Sequence, residues 1–150
     1  MKQFVLFFIS LFLLGVGARS QEMYQKKVFI SSRGDSLNYR LLRPEVEKTG
    51  LQYPLVLFLH GAGERGSDNE KQLTHGGQMF LNPVNREKYP AFVLVPQCPE
   101  KDYWAYTSRP SSFIPSEMPV GQEITPVLRA VKELLDTYLD LRSEEHTSEL

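Results

Sequence analysis

A chain of 150 residues with 41% hydrophobic and 23% charged side chains has the material for one buried core and lacks the polar bias of a disordered segment. Its 17 basic residues against 18 acidic ones leave no field that would select DNA, RNA or an anionic membrane surface. One cysteine excludes an internal disulfide, a CxxC redox pair and a cysteine-built zinc site.

Lys2 stands before an apolar run over residues 4–14 that only Ser10 interrupts, and Gly15-Val16-Gly17-Ala18 follows. A basic start, an apolar stretch of this length and small residues at a cleavage point make a secretory leader. Residues 1–18 are therefore read as a signal peptide, and the protein as exported to the periplasm or the extracellular space. The run falls short of the roughly 30 Å of hydrocarbon that a helix must cross, and it holds no cysteine for lipid attachment. No stable membrane anchor is expected.

Further along, Val28-Phe29-Ile30 and Leu37-Asn38-Tyr39-Arg40-Leu41 flank Arg33-Gly34-Asp35. Leu37, Tyr39 and Leu41 alternate with polar residues, which predicts a half-buried antiparallel hairpin at a sheet edge. Arg33-Gly34-Asp35 also spells a cell-adhesion tripeptide, but three residues between two strands read first as a turn. After Pro44 and a polar loop, Leu55-Val56-Leu57-Phe58-Leu59 is a continuous apolar run, as is Phe92-Val93-Leu94-Val95 before Pro96. Both predict strands buried on both faces of a parallel sheet. Between them lie a glycine-rich loop over residues 61–66 and a polar stretch with a short helix expected around residues 69–73. Ile124, Val127, Leu128, Val131, Leu134, Leu135, Tyr138 and Leu139 recur at helical spacing as one apolar stripe, with Pro126 in the first turn. Buried strands followed by helical material predict an α/β fold with a mainly parallel sheet and an N-terminal antiparallel hairpin.

The apolar period stops at Leu141, and residues 142–150 read Arg-Ser-Glu-Glu-His-Thr-Ser-Glu-Leu. This nonapeptide resembles the translation of a common sequencing adapter. It is set aside as an artefact, His146 included, against the plainer reading of a charged natural tail. Residues 19–141 are then the N-terminal part of a domain.

The residues that carry chemistry follow the first buried run: His60-Gly61-Ala62-Gly63-Glu64-Arg65-Gly66. Acyl transfer needs backbone N–H donors aimed at the oxygen that turns negative in the tetrahedral intermediate, and a loop held by a sheet positions such donors well. Small residues at positions 61–63 let the backbone approach a substrate, and glycine permits the φ values such a loop requires; a tight turn that merely needs glycine is the plainer alternative. Glu64 and Arg65 are charges inside this loop that pair, brace a neighbouring loop or touch substrate, with an internal salt link as the default expectation. Tyr103-Trp104-Ala105-Tyr106 lies beyond the second buried strand, on the side where open α/β sheets bind ligands, as a pocket wall or as packing. Cys98 has no activating partner in the sequence around it and is read as a small buried residue. Outside the tail only His60 and His75 offer imidazoles, without H-E-x-x-H or H-x-H spacing, so no metal or other cofactor is expected.

Leu59-His60-Gly61-Ala62-Gly63-Glu64-Arg65-Gly66, Asp68-Asn69, Gln72-Leu73-Thr74-His75-Gly76 and Val95-Pro96-Gln97-Cys98-Pro99 together resemble the secreted bacterial α/β-hydrolase esterases of the phospholipase/carboxylesterase type. These proteins are often described as peptidases of the prolyl-oligopeptidase family, and the resemblance runs over residues 28–141. It implies an α/β-hydrolase fold with only the N-terminal half present. It also implies that the backbone N–H of Ala62 is one half of an oxyanion hole, that Gly61 and Gly63 shape the loop, and that Glu64 and Trp104 are candidates to contact substrate. The other half of the hole is the amide after a nucleophilic serine in a G-x-S-x-G elbow. No such motif occurs here, so the triad's serine, acid and histidine are absent from this chain, and the departure coincides with the adapter-like tail. The fragment is expected to be inactive and, with its parallel sheet cut after two central strands, to fold poorly alone. His60 and His75 precede the expected serine, whereas this fold places its histidine last. His60 is therefore read as orienting its loop and His75 as capping a turn. The implied activity is hydrolysis of a small-molecule or polysaccharide-linked ester, with no nucleic acid and no cofactor involved. A prolyl-oligopeptidase-like serine peptidase and a non-catalytic exported binding module are the alternatives.

Overall fold

The computed structural model describes residues 23–105 and 124–144, with side chains up to residue 140. The leader at residues 1–18, Tyr106 and the last six residues lie outside the described residues. Strands β1 (Gln25–Ile30) and β2 (Ser36–Leu42) pair antiparallel, from Gln25 opposite Leu41 to Ile30 opposite Ser36. Between them Ser31 closes the reversal: its N–H donates to the Asp35 carbonyl at 2.9 Å, and its hydroxyl accepts from the amides of Arg33 and Asp35 at 3.3 and 3.0 Å. Gly34 takes a φ of 86°, which a side chain would resist, so Arg33-Gly34-Asp35 is the hairpin turn.

The far edge of β2 pairs antiparallel with β4 (Phe92–Pro96), and β4 pairs parallel with β3 (Leu55–Leu57), in the order β1-β2-β4-β3. The described sheet is therefore mixed, where a mainly parallel one was expected. The cause is β2, which bonds to β1 along one edge and to β4 along the other, so the hairpin forms the expected edge of the described sheet and joins it through a second antiparallel pairing. A second correction concerns β3. Its three residues are only half-buried, because it is the edge strand of the described sheet, whereas β4, flanked on both sides, buries Val93, Leu94 and Val95 completely or nearly so. The ladder runs one residue past β3, with the Phe58 amide donating to the Leu94 carbonyl at 2.9 Å.

Helices α1 (Gly77–Leu81), α2 (Pro83–Lys88) and α3 (Pro126–Glu144) complete the layers. Leu37, Tyr39 and Leu41 of β2 and Leu94 of β4 share one face and pack against Val127, Ala130, Val131 and Leu134 of α3. Val93 and Val95 point the other way, as the two-residue strand period requires, and join Tyr24, Leu42, Leu73, Phe58 and Phe80. Thr125 caps α3: its hydroxyl accepts from the Leu128 amide at 3.1 Å, and Pro126 takes the first helical position, where no N–H is needed. Two residues of the expected stripe stay out of the core. Ile124 precedes the cap, and Leu139, 51% exposed, has rotated off the buried face. The helix itself runs on past Leu141 to Glu144.

The expected short helix after the loop is a single 3-10 turn at Lys71–Leu73. Helices α1 and α2 were not anticipated, although Asn82-Pro83 is a helix start in sequence, and the Asn82 side chain does accept from the Val84 amide at 2.9 Å. Gly76, ahead of α1, has a φ of 87°, and a Cβ there would lie 2.6 Å from Phe58 Cζ, whose ring meets Phe80 edge to face. Gly76→Ala is expected to lower unfolding stability by about 2–3 kcal/mol, combining left-handed strain with overpacking, as a reduced urea midpoint.

Candidate functional site

Because β3 and β4 are parallel, their carboxyl ends meet at one edge, where residues 58–66 leave β3 and residues 97–105 leave β4. The Gly66 amide donates to the Cys98 carbonyl at 3.0 Å and ties the two segments together. His60, 5% exposed, is the centre of this edge. The Cys98 amide donates to its Nε2 at 2.9 Å, which leaves Nδ1 as the protonated nitrogen, and Nδ1 donates to the Gly61 carbonyl at 2.7 Å. The Trp104 indole N–H donates to the His60 carbonyl at 2.9 Å, with the two rings edge to face at 5.2 Å. Both imidazole nitrogens are thus committed to holding the loop.

Gly61 is extended (φ −78°, ψ 179°) and leads into a 3-10 turn at Ala62–Glu64, closed by the Glu64 amide on the Gly61 carbonyl at 3.3 Å. The opening amides of such a turn have no acceptor within it. Among the described hydrogen bonds none takes the Ala62 or Gly63 amide, and residues 61–63 are exposed. Neither Gly61 nor Gly63 has a positive φ; in this loop that conformation falls to Gly66, at 157°, where a Cβ would press on Gln97 Nε2 at 3.3 Å. At Gly61 a Cβ would sit 3.2 Å from a Glu64 carboxylate oxygen, a close approach that the carboxylate would have to yield to by a few tenths of an ångström.

Glu64 and Arg65 do not pair with each other. Glu64 ends the 3-10 turn and Arg65 leaves it in extended conformation (φ −60°, ψ 149°), and the two charges go to different sides of the loop. The Glu64 carboxylate is buried, 3.4 Å from His75 Nε2 and 4.0 Å from His60 Nδ1. Arg65 donates to the carbonyls of Ala62 at 3.0 Å and Asp102 at 3.2 Å, with its guanidinium over the Tyr103 ring at 4.4 Å, and so braces the neighbouring loop. His75 is exposed and reaches Glu64 instead of capping its own turn. Trp104 is half-buried, and its carbonyl accepts from the Thr125 hydroxyl at 3.1 Å, which links the loop to the start of α3. Glu64 and Trp104, the candidates to contact substrate, make their described contacts with the loop and its supports. Cys98 is fully buried; burial first, then Asp102, pushes its thiol up to about 11, which is the inert behaviour of a packing residue.

Behind the loop lies a buried polar network to which sequence reasoning gave no role. Gln97, 1% exposed, accepts from the Asn69 amide at 2.7 Å and donates to Asp68 Oδ1 at 2.9 Å and the Glu64 carbonyl at 3.3 Å. Asn69 (φ 55°) donates to the carbonyls of Lys27 and Tyr39, takes the Gln72 carboxamide on its Oδ1, and takes Arg40 Nε on its carbonyl at 2.6 Å. Loop residues 64–72 are pinned to the sheet by these bonds. The available cue was Gln97 itself, a carboxamide directly after a buried strand, where its polar atoms need partners.

Burial alone would raise the Asp68 carboxyl, but the amide of Lys71, the Gln97 carboxamide, the amide of Glu70 and the Lys71 ammonium outweigh it and hold it down to about 2. A folded value below the unfolded one, near 4, contributes stability above about pH 4 that is lost as pH falls toward 2. Asp68→Asn is therefore expected to flatten the acid limb of stability in that window, read as urea midpoints against pH.

Among the described residues no group of His, Cys, Asp and Glu is placed to hold a metal ion, and no helix is long and apolar enough to cross a membrane. No family model matches the chain, and no curated protein does. A solved structure does match: the crystal structure of a thermostable esterase, with a TM-score of 0.66 and 33% identity over 79% of this chain. The match spans 31% of that esterase, so the chain corresponds to less than a third of its length. The described residues thus form a four-stranded portion of an esterase-like α/β-hydrolase fold.

Proposed function

We propose that this chain is the oxyanion-loop half of an exported serine hydrolase that cleaves carboxylic esters through an acyl-serine intermediate. The observation that carries the reading is the Ala62 amide, which like that of Gly63 has no acceptor among the described hydrogen bonds, on an exposed stretch of a loop anchored through His60, Arg65 and Gly66 at the carboxyl edge of a parallel strand pair. The esterase likeness favours esters over peptides as the substrate class. In the reaction a serine gives its proton to a histidine and attacks the ester carbonyl; the Ala62 N–H and the amide after the serine hold the resulting oxyanion; collapse releases the alcohol, and water then frees the acid. His60, Trp104, Arg65 and the Gln97 network act as positioning residues, fixing the angle at which the Ala62 amide is presented. The 150-residue chain contains no G-x-S-x-G, and in this reading the serine belongs to the part of the hydrolase that corresponds to the unmatched length of the esterase.

The test is to assay the complete gene product with nitrophenyl esters and with chromogenic proline-containing peptides, and the 150-residue chain beside it. Ester turnover by the complete product and none by the isolated chain is the expected result. Peptide turnover without ester turnover points to the peptidase reading, and neither activity points to a binding module.

A further inference from the structure

At the opposite end of β4 from the loop, a cavity of about 40 Å³ lies between the end of β2, α1, α2 and the start of β4. Its lining includes Leu42, Pro44, Phe80 and Val93 together with two arginines, Arg43 and Arg86. The Arg86 side chain is 8% exposed; it donates from Nη2 to the Arg43 carbonyl at 3.2 Å, while its buried Nε has no hydrogen-bond acceptor among the described residues. The nearest carboxylate, Glu45, is 67% exposed and stops 3.7 Å from that nitrogen. Arg43 beside it differs, since Glu47 grips it through two contacts of 2.6 and 2.7 Å. A buried guanidinium donor without an acceptor costs free energy that an anion in the cavity offsets.

We propose that this cavity binds a short-chain monocarboxylate, with one carboxylate oxygen on Arg86 Nε and the alkyl end against Phe80 and Leu42. The volume holds about three waters, which suits the three or four heavy atoms of formate or acetate. Planar, singly charged ligands suit the one buried Nε–H that lacks an acceptor among the described residues, and a second negative charge is opposed by Glu45. Glu45 is then a competitor at the mouth of the site. This inference is independent of the ester-hydrolase reading, since the cavity and the loop share no residue.

The test is thermal unfolding of the complete gene product in sodium acetate against sodium chloride at equal ionic strength. A saturable rise in Tm of about 2–4 °C at ten times Kd is expected with acetate only. Arg86→Lys, which keeps the charge but has no Nε–H fork, should lose the rise. Glu45→Gln, an exposed change, should lower the acetate Kd several-fold, and Ala62→Pro should leave the response intact, which separates this cavity from the ester site. No saturable rise in the unmodified protein overturns the proposal, as does a rise that survives Arg86→Lys or vanishes in Ala62→Pro. Should Arg86→Lys fail to fold, an unchanged Kd in Glu45→Gln overturns it alone.

Discussion

On the proposed oxyanion-loop reading, Ala62→Pro is expected to lower kcat of the complete gene product on a nitrophenyl ester by about 10²–10³ while leaving its thermal stability within about 1 kcal/mol of the parent. Proline replaces the N–H at this position with a ring methylene. Ala62 opens a 3-10 turn, a place where the fixed φ of proline fits, and Gly61 before it is already extended, as the residue preceding a proline must be. The deleted N–H gives up no hydrogen bond in the described structure, so the change costs the fold little and the transition state one of its two donors. Because the donor acts on the developing oxyanion more than on the ground-state ester, kcat should fall with KM nearly unchanged. Ala62→Gly, which keeps the N–H, should retain most of the activity. Steady-state kinetics on a nitrophenyl ester, with Tm measured alongside, separates the two variants.

Gln97→Leu is expected to destabilise the protein by about 3–5 kcal/mol, the largest stability effect of any substitution considered. Leucine fills nearly the same volume, so the loss is polar. The buried Asn69 amide and the Glu64 carbonyl lose their only described side-chain partner, and Asp68 keeps the Glu70 and Lys71 amides and the Lys71 ammonium. Each stranded buried group costs about 1–3 kcal/mol. A lower urea midpoint with an unchanged m value is the signature of this loss. Ester turnover should fall further than stability explains, since the network fixes the loop that carries Ala62.

Where the chain speaks through period, it was readable. The hairpin follows from alternation at Leu37, Tyr39 and Leu41 around a glycine turn, and α3 from its stripe between Val127 and Tyr138. Burial was less readable than element type: Leu55-Val56-Leu57 and Val93-Leu94-Val95 look alike as text, and only strand order decides that the second is central and the first an edge. Helices α1 and α2, five and six residues long, are too short to show an apolar period. They form because Asn82 caps one and because Gly76, facing Phe58, turns the chain into the other. At the site, the position of the loop was legible from the His60–Gly66 motif, and so was the orienting role of His60. The parting of Glu64 from Arg65 was not, since it depends on a 3-10 turn that three small residues do not announce. Nor was the network behind the loop, where Arg40 meets Asn69 across 29 residues and Gln97 meets Asn69 across 28.

The most direct test of the oxyanion-loop reading is mass spectrometry of the complete gene product after treatment with an ester-like fluorophosphonate. A single adduct on the serine of a G-x-S-x-G elbow, with ester turnover lost in proportion to labelling and with labelling slowed in Ala62→Pro, is the predicted result. Ester turnover that proceeds with no serine labelled, or labelling that is as fast in Ala62→Pro as in the parent, contradicts it.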